Sequence, residues 1–304
     1  MLAKDLIKKL RRIEILTARA ANANLAGAYH SVFKGIGIAF SEVRQYQPGD
    51  DVRMIDWNVT ARMRDAYVKL FVEEREMTVM LLVDASGSGL FGSREQAKRE
   101  VAAEVAALLA FSAIKNNDRV GLIIFTDRVE RFVPPKKGKK HVLRVITEIL
   151  TFGPPGEVEG DGVVAPASRG TDLRVALEFL GGVAHRRSVA FLVSDFLASG
   201  YEQALRIAVR RHDVVPVTLT DPLEEQLPPL GVVLAEDPET GEVIEFDTNG
   251  PGAARYAERV RRLRLERESL FRRLKLDFIN VRTDAPYLNP LIAFFRARER
   301  RLRH

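Results

Sequence analysis

The sequence predicts an α/β protein built on a mainly parallel, doubly wound sheet. Three observations carry that expectation. Short apolar runs alternate with longer segments of helical period, as strands joined by crossover helices require. The runs are nearly continuous, not alternating, so the strands are expected to be covered on both faces. The chain also has 304 residues, of which 46% are hydrophobic and 29% charged, enough for a sizeable core and incompatible with wholesale disorder.

Residues 4–26 read as an amphipathic helix, with Leu6, Leu10, Ile13 and Leu16 on one face. From Gly27 to Val72 the pattern breaks into short pieces, divided by Gly35, Gly37 and the Gln47-Pro48-Gly49-Asp50 turn. Trp57 is expected to be a buried anchor there. We therefore expect an N-terminal region over residues 1–75, packed against a main domain over 76–304.

The main domain opens with strand Thr78–Val83 (TVMLLV). A long helix follows over Ser93–Asn117, with Ser93 and Gln96 spaced as a capping box and Ala97, Val101, Val105, Leu108 and Ser112 as its packed stripe. Strand Val120–Phe125 turns at Thr126-Asp127-Arg128 into an antiparallel partner, Val129–Val133. Helix Lys140–Leu150 leads into a long Gly/Pro-rich loop, Gly153–Gly170. Next come helix Asp172–Ala184, strand Ser188–Ser194, helix Tyr201–Arg211 and strand Val214–Thr220, whose Pro216 predicts an outer position or a bulge. A surface hairpin lies near 230–247, with arms Val232–Ala235 and Val243–Phe246. Helix Ala253–Leu274, with Leu263, Leu270 and Leu274 on its packed side, strand Phe278–Thr283 and helix Leu288–Arg303 complete the pattern.

Composition excludes several functions. With no cysteine, thiolate catalysis, disulfides and zinc–thiolate sites are impossible. The five histidines, at 30, 141, 185, 212 and 304, include no pair at helical ligand spacing. No apolar run approaches the roughly 18 residues of a membrane span, and the N-terminus lacks the apolar core of a signal peptide. A soluble, cytoplasmic protein is expected. The formal charge of +6 suggests a polyanion partner, but residues 255–304 carry 15 Lys/Arg against 6 Asp/Glu, leaving 32 against 35 elsewhere. The excess is confined to terminal helices whose arginines read as solvated faces, and Phe271, Phe294 and Phe295 among them read as core. Nucleic acid is therefore not the expected partner, and a basic nucleic-acid-binding protein stands as an alternative reading only.

Polar groups of one chemical kind follow the strands. Asp84-Ala85-Ser86-Gly87-Ser88 directly follows TVMLLV, Gly170-Thr171-Asp172 precedes a helix, and Ser194-Asp195 follows the run VAFLV. In doubly wound sheets ligands bind beyond the carboxyl ends of strands. An oxygen-only set of hydroxyls and carboxylates suits a hard cation such as Mg²⁺, which takes near-octahedral oxygen ligation. Any one of these residues alone is ordinary turn or cap chemistry, and Asp172 is expected simply to cap its helix. Together the Asp-x-Ser-x-Ser spacing at 84, 86 and 88, a separate Thr171 and Asp195 resemble the metal-ion-dependent adhesion site of von Willebrand factor A domains. That resemblance implies a Rossmann-like sheet of the von Willebrand factor A type. It further implies that Ser86, Ser88 and Thr171 approach the metal through hydroxyls, with Asp84 and Asp195 acting directly or through water. Mg²⁺ is the expected ion, with Mn²⁺ and Ca²⁺ as alternatives, and a partner's Asp or Glu would complete the shell.

A second resemblance covers nearly the whole chain. The stretches RQYQPGDD, IDWNVTAR and VKLFVEERE within 29–76, and VSDF, RHDVVPV and DPLEEQLP downstream, resemble domain-of-unknown-function family 58 (DUF58). The resemblance implies an adaptor or cofactor of a MoxR-type AAA+ ATPase, or of its client, with no catalysis of its own.

Gly87-Ser88-Gly89-Leu90-Phe91-Gly92 is a literal G-x-G-x-x-G, which leaves a dinucleotide-dependent oxidoreductase as an alternative. Against it, the acidic residue expected about 20 residues on is absent, since the next strand ends near Asp127. Neither a G-x-S-x-G elbow nor a P-loop is present, and no catalytic constellation is found. The lysine cluster at 136–140 reads as a solvated loop.

Overall fold

The structure is a computed structural model, and it describes residues 11, 29, 32–33, 38–63, 65–73, 76–92, 97–152, 170–236 and 242–302. The expected 4–26 helix (Arg11 apart), the 153–169 part of the long loop and the 237–241 turn lie outside the described residues. The chain divides into two compact units: Phe33–Met77, and Met1–Val32 together with Thr78–His304.

In the small unit, β1 (Ile38–Gln45) pairs antiparallel with β2 (Tyr67–Glu73), with a bulge between Phe40 and Glu42. The turn between them is tied by Arg44, whose guanidinium meets both oxygens of Asp50 at 2.7 and 2.6 Å, while Asp50 also accepts from the Gln47 N–H. A 3-10 turn over Val52–Met54 is capped by Asp51, and helix α1 spans Trp57–Met63. Trp57 is not the expected buried anchor: it is 70% exposed, with Val52, Met54 and Met63 exposed nearby. Asp56 supplies the anchoring instead, accepting from the N–H groups of Asn58 and Val59 at the helix start.

The large unit is the expected α/β layer structure. Its sheet contains β3 (Thr78–Asp84), β4 (Arg119–Phe125), β5 (Val129–Lys136), β6 (Val189–Ser194), β7 (Asp213–Thr220) and β10 (Ile279–Arg282), ordered β10-β7-β6-β3-β4-β5. All pairs are parallel except the β4–β5 hairpin. Strands β3 and β6 are buried along almost their whole length, which explains why their sequences do not alternate. Pro216 is not on an edge strand, because β7 lies between β6 and β10. It pairs across to Leu192 of β6, but β10 begins its pairing only at Val217, so the proline stands at a locally unflanked margin.

Helix α2 spans Lys98–Lys115, with the extended Ala97 as its cap; the Ser93 and Gln96 capping signal lies outside the described residues. Instead of one packed stripe, every residue from Val101 to Ala113 is buried, with the helix packed on the sheet and against α3 (Lys139–Thr151) beside it. Its many alanines permit that close approach. On the other face, α4 (Leu173–Val183), α5 (Glu202–Arg211) and the end of α7 (Pro251–Arg273) cover Met80, Leu82, Ile123, Ala190, Leu192 and Val214 in one core. Tyr29, which precedes the small unit in sequence, belongs to the large unit. It is fully buried, donates to Asp118 Oδ2 at 3.0 Å and stacks 5.8 Å from the ring of Phe295 in α8 (Leu288–Leu302).

A short helix, α6 (Pro222–Glu225), follows β7 and carries a capping box between Asp221 and Glu224. The surface hairpin pairs β8 (Val232–Glu236) with β9 (Val243–Asp247) and leaves Val232, Leu234, Val243 and Ile244 exposed. In α7, Leu270 is buried as expected, but Leu263 is 43% exposed. Phe271, Phe294 and Phe295 are core. Among the described residues no helix is long and apolar enough to cross a membrane.

Candidate metal centre

The strand order places a switch point between β3 and β6. The chain leaves β3 toward β4 on one side and returns to β6 on the other, opening a crevice at their carboxyl ends. Asp84 is the last residue of β3, and Asp195 directly follows β6. Both face this crevice, as do Ser88 and Ser194.

After Asp84 the chain makes a tight 3-10 turn, Gly87–Leu90, with Ser86 as its cap. Asp84 Oδ1 accepts the Ser86 N–H at 3.0 Å, which folds the loop back on the carboxylate. The hydroxyls of Ser86 and Ser88 then lie 3.1 Å apart. From the other strand, the Ser194 hydroxyl donates to Asp84 Oδ2 at 2.6 Å. Phe196, next to Asp195, takes a left-handed conformation (φ 57°), unusual for an aromatic residue. Its N–H donates to Ser194 Oγ, the Leu197 N–H donates to Asp195 Oδ1, and its ring packs on Tyr201 and Phe271. The kink thus holds both Ser194 and Asp195 in place.

Thr171 stands at the neighbouring strand end. The Asp172 N–H donates to Thr126 O at 2.9 Å and the Ala85 N–H to Phe125 O at 2.9 Å, so both loops are moored to the end of β4. Asp172 caps α4 as expected, accepting the Arg174 N–H. The structure therefore clusters Asp84, Ser86, Ser88 and Asp195, with Thr171 on the bordering loop.

Three residues of this cluster were not among the sequence candidates. Ser194 is one. The others are Lys98 and Glu224: the Lys98 ammonium, 2% exposed, lies 2.9 Å from Asp195 Oδ2 and also pairs with Glu224 Oε1. Arg267 adds a bond from Nη1 to the Asp195 carbonyl at 2.7 Å.

The electrostatics separate the two aspartates. Burial, and then the nearby charge of Asp195, push the Asp84 carboxyl up to about 6. Burial also works against Asp195, but the Lys98 ammonium and the Ser88 hydroxyl outweigh it and hold that carboxyl below its ordinary range. For Lys98 burial disfavours the charge, and Asp195 and Glu224 more than restore it. The crevice is therefore one in which Asp84 lacks a full counter-charge.

The residues fit a small divalent ion. An octahedral shell with ligands about 2.1 Å out has neighbouring oxygens about 3.0 Å apart, the spacing of the two serine hydroxyls. The cavity bounded by Asp84, Ser88, Lys98 and Asp195 measures about 20 Å³, room for one ion or water. A dinucleotide needs a site more than about tenfold larger. Among the described residues no group of three or more His, Cys, Asp or Glu could hold a metal without such hydroxyls. The glycine motif forms a 3-10 turn, and α2 begins only at Lys98, so Gly87-Ser88-Gly89 does not open a helix as a dinucleotide loop does.

Fold and crevice together define the class: a von Willebrand factor A-like α/β domain. The chain belongs to the family described as Protein of unknown function DUF58, whose model matches residues 42–266. It is 31% identical over 292 residues to the uncharacterized protein Rv1480 of Mycobacterium tuberculosis H37Rv, covering 96% of this chain and 89% of that protein. Among solved structures it is similar to the conserved hypothetical protein BatB from Bacteroides thetaiotaomicron, with TM-score 0.46 and 15% identity over 74% of this chain and 99% of that one. It is also similar to the SpRpn10 VWA domain, with TM-score 0.38 and 9% identity over 71% of this chain and 94% of that one.

Proposed function

We propose that the protein is a non-catalytic, metal-dependent recognition module that binds a carboxylate of a protein partner. The observation that supports this reading is the convergence of Asp84, Ser88 and Asp195 on a single-ion cavity at the switch point of the sheet, with the Ser86 hydroxyl 3.1 Å from that of Ser88. Asp84, Ser86, Ser88 and Asp195 would hold the ion, with Thr171 bordering it. Mg²⁺ is the preferred ion, Mn²⁺ and Ca²⁺ the alternatives. When bound, the ion supplies a Lewis-acidic position for a carboxylate oxygen. The chain's own part is to orient the oxygens: Ser194, held by the Phe196 N–H, fixes one oxygen of Asp84, the turn N–H of Ser86 fixes the other, and the Leu197 N–H fixes one oxygen of Asp195.

The family resemblance points to a MoxR-type AAA+ ATPase, or its client, as that partner, and the cytoplasm is the compartment we propose for the pair. The test is reconstitution with a purified MoxR-type ATPase from the same cell. Binding measured by interferometry is expected in millimolar Mg²⁺, and to be lost in EDTA and in Asp84→Ala. Binding unaffected by EDTA would remove the metal from the reading. No binding under either condition would remove this partner.

A further inference from the structure

Lys98 is a charged group in the cluster that no oxygen-ligand pattern requires. It is the first residue of α2, directly before the mostly apolar buried stretch Val101–Ala113, it is 2% exposed, and its ammonium touches two carboxylates, Asp195 after β6 and Glu224 in α6. Burying a lysine this deeply is unfavourable unless the charge is fully paired. Asp195 and Glu224 provide the pairing. Yet Asp195 is also one of the oxygens proposed to face the ion, so one carboxylate is shared between two cations.

We propose, resting on the metal reading above, that Lys98 is a tethered counter-cation that competes for Asp195 and thereby sets which ions the crevice accepts. The ammonium carries a single charge, so it excludes monovalent cations, which offer Asp195 nothing it does not already have. A divalent ion brings twice the charge to Asp84 and Asp195 together, and Lys98 then gives up Asp195 and stays on Glu224. Glu224 is placed to keep it. Its other oxygen accepts the Asp221 N–H, Asp221 Oδ2 accepts the Thr283 hydroxyl, and the Glu224 carbonyl accepts from Tyr256 of α7. Lys98 therefore has a second anchor that holds still while the first is released.

The consequence is a pair of substitutions with opposite effects on affinity. Lys98→Met removes the competitor and leaves Asp195 open to the ion. Glu224→Gln removes the second anchor and leaves Lys98 bound to Asp195 alone. Mn²⁺ binding is measured by calorimetry and by the loss of the free-Mn²⁺ electron paramagnetic resonance signal, on the full chain, with Asp84→Asn as a control. Lys98→Met is expected to bind Mn²⁺ at least about tenfold more tightly than the unsubstituted chain, and Glu224→Gln several-fold more weakly. Added K⁺ is expected to weaken Mn²⁺ binding in Lys98→Met more than in the unsubstituted chain. Structural damage alone cannot tighten binding, so the first result distinguishes competition from misfolding. If Lys98→Met does not fold, the Glu224→Gln result decides. Equal affinities for the unsubstituted chain and the variants at 98 and 224, with Asp84→Asn abolishing binding, would overturn the role of Lys98 and leave the metal reading intact. No Mn²⁺ binding by any of the four proteins would overturn the metal reading and this proposal with it.

Discussion

Replacing Asp84 by Asn should stabilise the metal-free protein, although it removes a charge at the centre of the proposed site. The Asp84 carboxyl rises from an ordinary 3.8 to about 6 because it is buried and faces Asp195. A carboxyl raised in this way favours the folded state when protonated. That contribution is fully present below about pH 4 and is lost as the pH climbs through about 6. At pH 8 the folded protein therefore carries an ionisation penalty of about 3 kcal/mol from this residue, and at pH 5 roughly half of that. Asparagine avoids the penalty and keeps both hydrogen bonds. Its oxygen accepts the Ser86 N–H, and its nitrogen donates to Ser194 Oγ. Allowing about 1 kcal/mol for rearranging that pair, Asp84→Asn should be more stable by about 1–3 kcal/mol in EDTA at pH 8, with a smaller gap at pH 5. Urea unfolding followed by circular dichroism at the two pH values measures both gaps. Millimolar Mg²⁺ should then stabilise the unsubstituted protein and not the variant. A variant less stable than the unsubstituted protein at pH 8, or a gap that does not grow with pH, would refute the assignment of Asp84 as an under-compensated buried charge.

Gly121 leaves no room for a side chain, since a Cβ there would lie 2.7 Å from Met80 Sδ and 3.2 Å from the Pro135 nitrogen. Gly121→Ala should lower stability by about 1–3 kcal/mol in urea titrations. Phe196→Gly relieves a left-handed conformation worth about 1 kcal/mol but gives up a buried ring, so a net loss of about 2–4 kcal/mol is expected by the same measurement. Trp57 is 70% exposed, and Trp57→Ala should leave the unfolding free energy from urea titrations within about 0.5 kcal/mol of the unsubstituted chain.

The sheet was legible because strands buried on both faces leave uninterrupted apolar runs, and Thr78–Asp84 and Val189–Ser194 do so. The loops after them were legible for the same reason: a run ending in Asp84 or in Ser194-Asp195 marks where a strand stops and chemistry can start. What sequence could not provide was the pairing across loops. Glu224 lies 126 residues from Lys98, and no local pattern connects them. Lys98 did leave a trace, because it stands at the head of the apolar series Val101, Val105, Leu108 on α2, where a solvated lysine does not belong. Trp57 misled for a simpler reason: a single large aromatic is usually core, and here the carboxylate of Asp56 does the local anchoring. The left-handed Phe196 has no signature at all, since its conformation is imposed by packing against Tyr201 and Phe271.

The buried Tyr29 has a consequence for the order of synthesis. Its hydroxyl partner, Asp118, is 89 residues downstream, and its ring partner, Phe295, is made far later still. The large unit is split in sequence by Phe33–Met77, so its first piece must wait for its last. The small unit, by contrast, has all its β1–β2 pairs within 36 residues, Ile38 to Glu73. The protein is therefore expected to form the inserted unit first, with Tyr29 docking only once α8 has been made.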